Sequence, residues 1–276
     1  MNIRLICKAA AAVALSATLV FAQPKPKSQK EIDALMAVQN APDPDARIAA
    51  VENLLSTFAD TEFKGWALMV AAASAQQKND FEKMVIYAER TLEADPKSFQ
   101  AMLMLAGGIA QRTREFDLDR EEKLGRAEKL ANQAIETVTA APKPDNPQVT
   151  PEQWEQAKKD SIAQAHEALG QVALVRKKYD VAAQEWKTAV DGAATPDPGT
   201  MVRLANAYNL QKKPDEAIAV LDKLNTMPDV HPQVKSAATE QRNIAVKLKG
   251  AGSTPAPAPG AAPTAPAPPA APAPKP

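Results

Sequence analysis

The chain has 276 residues, of which 33 are basic and 33 acidic, with one cysteine and two histidines. Balanced charge excludes the basic field that draws proteins to nucleic acid or anionic lipid, and a lone cysteine excludes a disulfide framework or a zinc–thiolate site. Ten glycines and few valine or isoleucine runs point to an all-α chain.

Residues 1–22 read as a secretory signal peptide. Arg4 and Lys8 supply the positive end, Ala9 to Val20 the apolar stretch, and Val20-Phe21-Ala22 a small-x-small cleavage site. The alternative is a retained membrane anchor, but a run of about a dozen residues falls short of the ~20 that span a bilayer. Cys7 precedes the apolar stretch and has no lipobox around it, so it is not read as a lipidation site. Cleavage near Gln23 removes Cys7 together with Arg4 and Lys8, leaving 33 − 2 = 31 bases against 33 acids. The mature chain then has no thiolate nucleophile and no stable membrane span, and its stability must come from packing.

Residues 23–27 form a polar linker, after which a helical body is expected over 28–250. Ser28 with Glu31 three residues later predicts a capping box. Ile32, Leu35, Met36 and Val38 mark a first helix, Pro42 to Asp45 a turn, and Ile48, Val51, Leu54, Leu55 and Phe58 a second, giving a unit over 28–62. The next unit, 63–96, runs from an Ala-rich helix over Gly65 to Gln77, through the turn Asn79-Asp80-Phe81, to a helix stopped by Asp95-Pro96. Equivalent small or packing positions Ala50 and Met84 lie 34 residues apart.

The third unit, 97–140, opens with Met102, Leu105, Ala106 and Ile109 and closes with Ala127, Ala131 and Ala134. From Met84 to Ala127 is 43 residues, nine over the period, so an insertion is placed at the turn from Arg112 to Glu122. Its mixed charges read as a solvated loop, with a partner-docking loop as the alternative. Gly107-Gly108 reads as a close helix contact. A second insertion with Pro142, Pro144 and Pro147 leads to Thr150-Pro151-Glu152-Gln153, a strong helix start, and the helix from Pro151 should be the longest in the protein. Trp154 on its first turns reads as a packing residue, or else as exposed for a partner.

From Ala163 to Leu224 two consecutive units share one pattern. Leu169-Gly170 precede the Lys177-Lys178 turn and Tyr179, then Ala182, Trp186 and Ala189. Leu204-Ala205 and Tyr208 precede Lys212-Lys213-Pro214, then Ala217, Leu221 and Leu224. Ala182 to Ala217 is 35 residues. The pattern resembles the tetratricopeptide repeat, a ~34-residue helix-turn-helix unit. His166, Ala173 and Met201 depart from its large residues, so the likeness rests on the small residues and the period. It implies a right-handed superhelical solenoid of antiparallel helix pairs, with units over 151–196 and 197–230 completing the series. Gly170 and Ala182 are expected to face one another within a pair.

Val234, Ala237, Ile244, Val246 and Leu248 build a capping helix over 231–250, whose polar face closes the open end of a solenoid. Residues 251–276 hold ten Ala and ten Pro. With no large apolar group to bury and few backbone donors, this tail reads as disordered and polyproline II in character. It is a solubilising tail, or a spacer or ligand for a wall or a proline-binding module.

No H-E-x-x-H, G-x-S-x-G, P-loop or dinucleotide glycine fingerprint occurs, and His166 and His231 stand apart in the sequence. Catalysis, cofactors and metals are therefore not expected. The tetratricopeptide likeness implies that function lies on the concave face lined by the first helix of each pair. It places there Met69, Ala73, Gln76, Leu103, Gly107, Gln164, Glu167, Gln171, Val202, Arg203, Asn206 and Asn209. Arg203 and Asn206 suit a carboxylate clamp, but Glu167 stands where a base would help, and the amides favour backbone recognition of an extended segment. The expectation is an exported, non-catalytic scaffold of the periplasm or cell envelope, or secreted, that binds a protein or extended peptide. The alternative is a structural spacer or self-associating envelope protein, and homo-oligomerisation is compatible with either.

Overall fold

A computed structural model describes residues 24–252 of the chain. The expected signal peptide, and the Ala/Pro tail beyond Gly252, lie outside the described residues. Among the described residues there are eleven helices and no strand. Five antiparallel pairs follow one another: α1 (Gln29–Asn40) with α2 (Pro44–Thr57), α3 (Lys64–Gln77) with α4 (Phe81–Ala94), α5 (Phe99–Arg112) with α6 (Arg120–Ala140), α7 (Pro151–Val175) with α8 (Tyr179–Gly192), and α9 (Pro198–Leu210) with α10 (Pro214–Asn225). The eleventh, α11 (Pro232–Gly252), packs on α9 and α10 and runs two residues past its expected end. Each helix packs on the next, and α5 also touches α7. No helix of the described residues is long and apolar enough to cross a membrane.

Three of the turns within pairs share one geometry. Asn79, Lys177 and Lys212 take left-handed backbone angles (φ 57°, 60° and 58°). In each, the N–H of the following residue donates five residues back: Asp80 to the Ala75 carbonyl (3.0 Å), Lys178 to Ala173 (2.9 Å) and Lys213 to Tyr208 (2.9 Å). This bond takes up a carbonyl that a helix end leaves orphaned and reverses the chain in few residues. Asn adopts the left-handed region readily; the two lysines hold it against a modest steric cost.

The α5–α6 turn lacks this device because of the insertion, which the structure divides differently from the expected loop over Arg112 to Glu122. Only 113–119 is loop; Arg112 ends α5, and 120–122 open α6, which runs to 21 residues. The loop's polar groups are tied to the body. Arg120 donates to the Glu115 carbonyl (3.0 Å), Lys177 pairs with Glu115 (2.5 Å), and Arg176 with Glu121 (3.0 Å) and Glu128 (2.8 Å). The α7 start matches expectation: the Thr150 hydroxyl accepts from Gln153 N–H (3.2 Å) while the Gln153 side chain accepts from Thr150 N–H (3.0 Å). At 25 residues α7 is the longest described helix. Trp154 is buried in the core, which settles it as a packing residue.

At the other end, half of the expected capping box forms. Ser28 Oγ accepts from Glu31 N–H (3.2 Å), but the Glu31 carboxylate reaches Lys27 N–H (2.6 Å) and the Thr61 hydroxyl (2.6 Å) instead of the Ser28 backbone. Glu31 is thereby buried, and these two donors, the Thr61 hydroxyl first, hold its carboxyl below the usual range.

The core is strung along the solenoid. One cluster runs from Val38 to Val172, a second joins α7, α8 and α9 around Trp186, and a third joins α9, α10 and α11. The group against Gly170 is the Trp186 indole, one turn along α8 from the expected Ala182. A Cβ at Gly170 would lie 2.5–2.8 Å from three indole atoms, and the Trp186 N–H donates to the Glu167 carbonyl (3.2 Å). The two central glycines of α5 divide. Gly108 is pressed against Met84 and Phe81 of α4, whereas a Cβ at Gly107 would meet nothing within 4 Å.

Polar ties between neighbouring units recur at about one repeat. Asp45 with Lys78, Glu52 with Tyr87, Glu89 with Arg126 (2.6 Å), Asn209 with Gln241 (3.0 Å) and Asp215 with Lys249 (2.5 Å) are 32 to 37 residues apart.

Candidate partner-binding groove

On the first helices of the second to fifth pairs a stripe at helical spacing stays open or half-buried. On α3 this stripe is Trp66, Met69, Ala73 and Gln76; on α5, Gln100, Met104, Gly107 and Gln111; on α7, Gln164, Glu167 and Gln171; on α9, Val202, Arg203, Asn206 and Leu210. Two of the residues expected on the concave face leave the set. Leu103 turns into the core beside Met102 and Leu105. Asn209 is buried under α11, where its amide donates to the Gln241 carbonyl (2.9 Å) and side chain (3.0 Å).

The electrostatics of the stripes are set by a single pair. Glu167 and Arg203 are their only ionisable side chains, and Arg203 Nη2 lies 3.6 Å from Glu167 Oε2, joining the α7 and α9 stripes. Arg203 also donates to the Thr200 hydroxyl (3.0 Å) and lies 3.6 Å from Asp197. Burial pushes the Glu167 carboxyl up, against the Thr200 hydroxyl and Arg203, which favour its charged form. With Glu167 beside it, Arg203 offers an incoming carboxylate no net charge, and the clamp arrangement does not form.

Away from that pair the stripes consist of thioether, indole, aliphatic, small and carboxamide groups. Trp66, Gln100, Met104, Gln111 and Leu210 were not among the residues expected there, although Met104, Gly107 and Gln111 stand at the three-then-four spacing that defines a helix face. Neither histidine is in the stripes. His166 Nδ1 lies 2.7 Å from Glu185 Oε2 on α8, and His231 accepts from Gln233 N–H (3.3 Å) at the start of α11. Among the described residues no group of three or more His, Cys, Asp or Glu is arranged to hold a metal ion.

No protein-family model matches the chain, and no curated protein matches it in sequence. Among solved structures, TTC0263, a thermophilic tetratricopeptide-repeat protein of Thermus thermophilus, superposes with a TM-score of 0.53 at 17% identity, over 76% of this chain and 98% of that one. Weaker likenesses are a tetratricopeptide repeat protein of Parabacteroides merdae (TM-score 0.41, 12% identity, 83% and 94% covered) and Acl4, an assembly chaperone of RpL4 (0.43, 13%, 82% and 99%). At these identities the likeness to TTC0263 is one of architecture, and the fold of this chain is that of a tetratricopeptide-repeat solenoid.

Proposed function

We propose that this protein is a non-catalytic scaffold that binds an extended peptide segment of a protein partner along the open stripes of α3, α5, α7 and α9. The observation that carries this reading is the makeup of those stripes: side-chain amides and apolar groups around one internally compensated ion pair. Amides satisfy the unpaired backbone donors and acceptors of an extended chain, and apolar side chains between them take up its residues without requiring a charge. The export half of the reading, a scaffold of the periplasm or cell envelope, rests on Arg4, Lys8 and the apolar run before Ala22.

The test is crosslinking with mass spectrometry on the native cell envelope, comparing the parent with Gly107→Leu and Met104→Glu. Loss of crosslinked partners in both variants, with unchanged circular dichroism, supports the groove. Partners retained by both variants would overturn it and leave a spacer role.

A further inference from the structure

The stripes meet a chemistry that the chain itself carries. Residues 253–274 contain nine prolines and no ionisable side chain. A polyproline II strand has no internal hydrogen bonds, and the nine prolines lack an N–H, so carbonyl acceptors outnumber donors along its surface, between flat proline rings and alanine methyls. Such a strand needs donors and apolar faces rather than charges. The groove offers both. The carboxamides of Gln76, Gln111, Gln164 and Gln171 make no hydrogen bond among the described residues, and the outer edges of the half-buried Trp66 and Met104, which otherwise pack on the core, provide the apolar faces. At Gly107 the space above the helix is open. A mid-helix glycine without a packing neighbour is less stable than alanine by up to ~1 kcal/mol, and the room it leaves lets another backbone approach the helix.

Placement and length agree. α11 packs on α9, so residue 252 leaves the fold within one helix length, about 30 Å, of the α9 stripe. From α11 to α3 there are four steps between first helices, on the order of 40 Å in all. As polyproline II, 22 residues reach about 70 Å. We propose that segment 253–274 is a ligand for the groove of its own chain, so that an external partner binds by displacing it. This rests on the groove reading above and adds the occupant. Tethered in this way, the segment acts at an effective concentration on the order of 1 mM.

The experiment titrates a fluorescein-labelled peptide of residues 253–274 by anisotropy into three full-length proteins: the parent, a version whose residues 253–274 are replaced by a Gly/Ser sequence of equal length, and that version carrying Gly107→Leu. The Gly/Ser version should bind the peptide, with less than a twofold change in Kd between about 0.05 and 0.5 M salt, because neither side carries net charge. The parent should bind about tenfold more weakly, since its own segment competes. Gly107→Leu should abolish binding while melting no earlier than its parent, and Met104→Ser provides the same readout should the leucine variant misfold. No binding to the Gly/Ser version up to about 1 mM, or equal binding to the parent, overturns the proposal. That failure is distinguishable from failure of the groove reading, which shows instead as envelope crosslinks that survive Gly107→Leu.

Discussion

Two glycine-to-alanine substitutions should move stability in opposite directions. At Gly170 the new methyl would sit 2.5, 2.7 and 2.8 Å from Nε1, Cδ1 and Cε2 of Trp186, a fully buried side chain pinned by its bond to the Glu167 carbonyl. The indole cannot retreat without opening a void or losing that bond. Overpacking costs ~1–3 kcal/mol, and losing the hydrogen bond ~0.5–1.5 kcal/mol. The higher helix propensity of alanine offsets up to ~1 kcal/mol. Gly170→Ala should therefore destabilise by about 2 kcal/mol. At Gly107 nothing lies within 4 Å, so Gly107→Ala should stabilise by ~0.5–1 kcal/mol. Urea unfolding followed by circular dichroism measures both, with an unchanged slope showing that the unfolded state is not altered. A Gly170→Ala protein as stable as the parent would refute the α7–α8 packing described above, and a destabilised Gly107→Ala would refute the open space.

Gly108→Ala should fall between these two, because the nearest atom, Met84 Cε, ends a flexible side chain; its urea midpoint should drop less than that of Gly170→Ala. The depressed Glu31 carboxyl stabilises the fold fully above its ordinary value of 4.5, and that contribution is lost as pH falls through the folded value. Amide exchange in α1 should accordingly rise with acidification below about pH 4.5 in the parent and respond far less in Glu31→Gln. Asn209→Ala leaves the Gln241 contacts unmade and should cost ~1–3 kcal/mol locally, seen as faster exchange in α11 with α1 to α4 unaffected. Glu167→Gln removes the charge that compensates Arg203 and should let the groove bind a peptide ending in a carboxylate in a salt-sensitive way, whereas the parent shows no such preference.

The pairs were legible in the sequence because helix packing writes itself as a period: Ala182, Trp186 and Ala189 against Ala217, Leu221 and Leu224 needs no partner information. The turns at Asn79, Lys177 and Lys212 were legible for the same reason, since each falls at one place in the repeat. The contact partner at Gly170 was not. Spacing places a small residue on a face but does not say which residue of the facing helix meets it, and Trp186 reaches across one turn where Ala182 cannot. Glu31 escaped because its second donor, Thr61, lies 30 residues away. On the candidate groove, positions read from one family template placed Leu103 and Asn209 outward. Leu103 is turned into the α5 core, and Asn209 is covered by a terminal helix that a template of identical units does not contain.

The ties spaced by one repeat have a mechanical consequence. A tie of 32 to 37 residues between units fastens one to its neighbour and to nothing farther, so tension on the two ends is borne by one junction at a time. Pulled from the C-terminal side, α11 should peel first, through Asn209, Asp215 and Asp222, the residues that hold it to α9 and α10. Each later release frees about one repeat of chain, roughly 34 residues at ~3.5 Å each, so under load the molecule should lengthen in steps on the order of 120 Å and act as a stepwise strap.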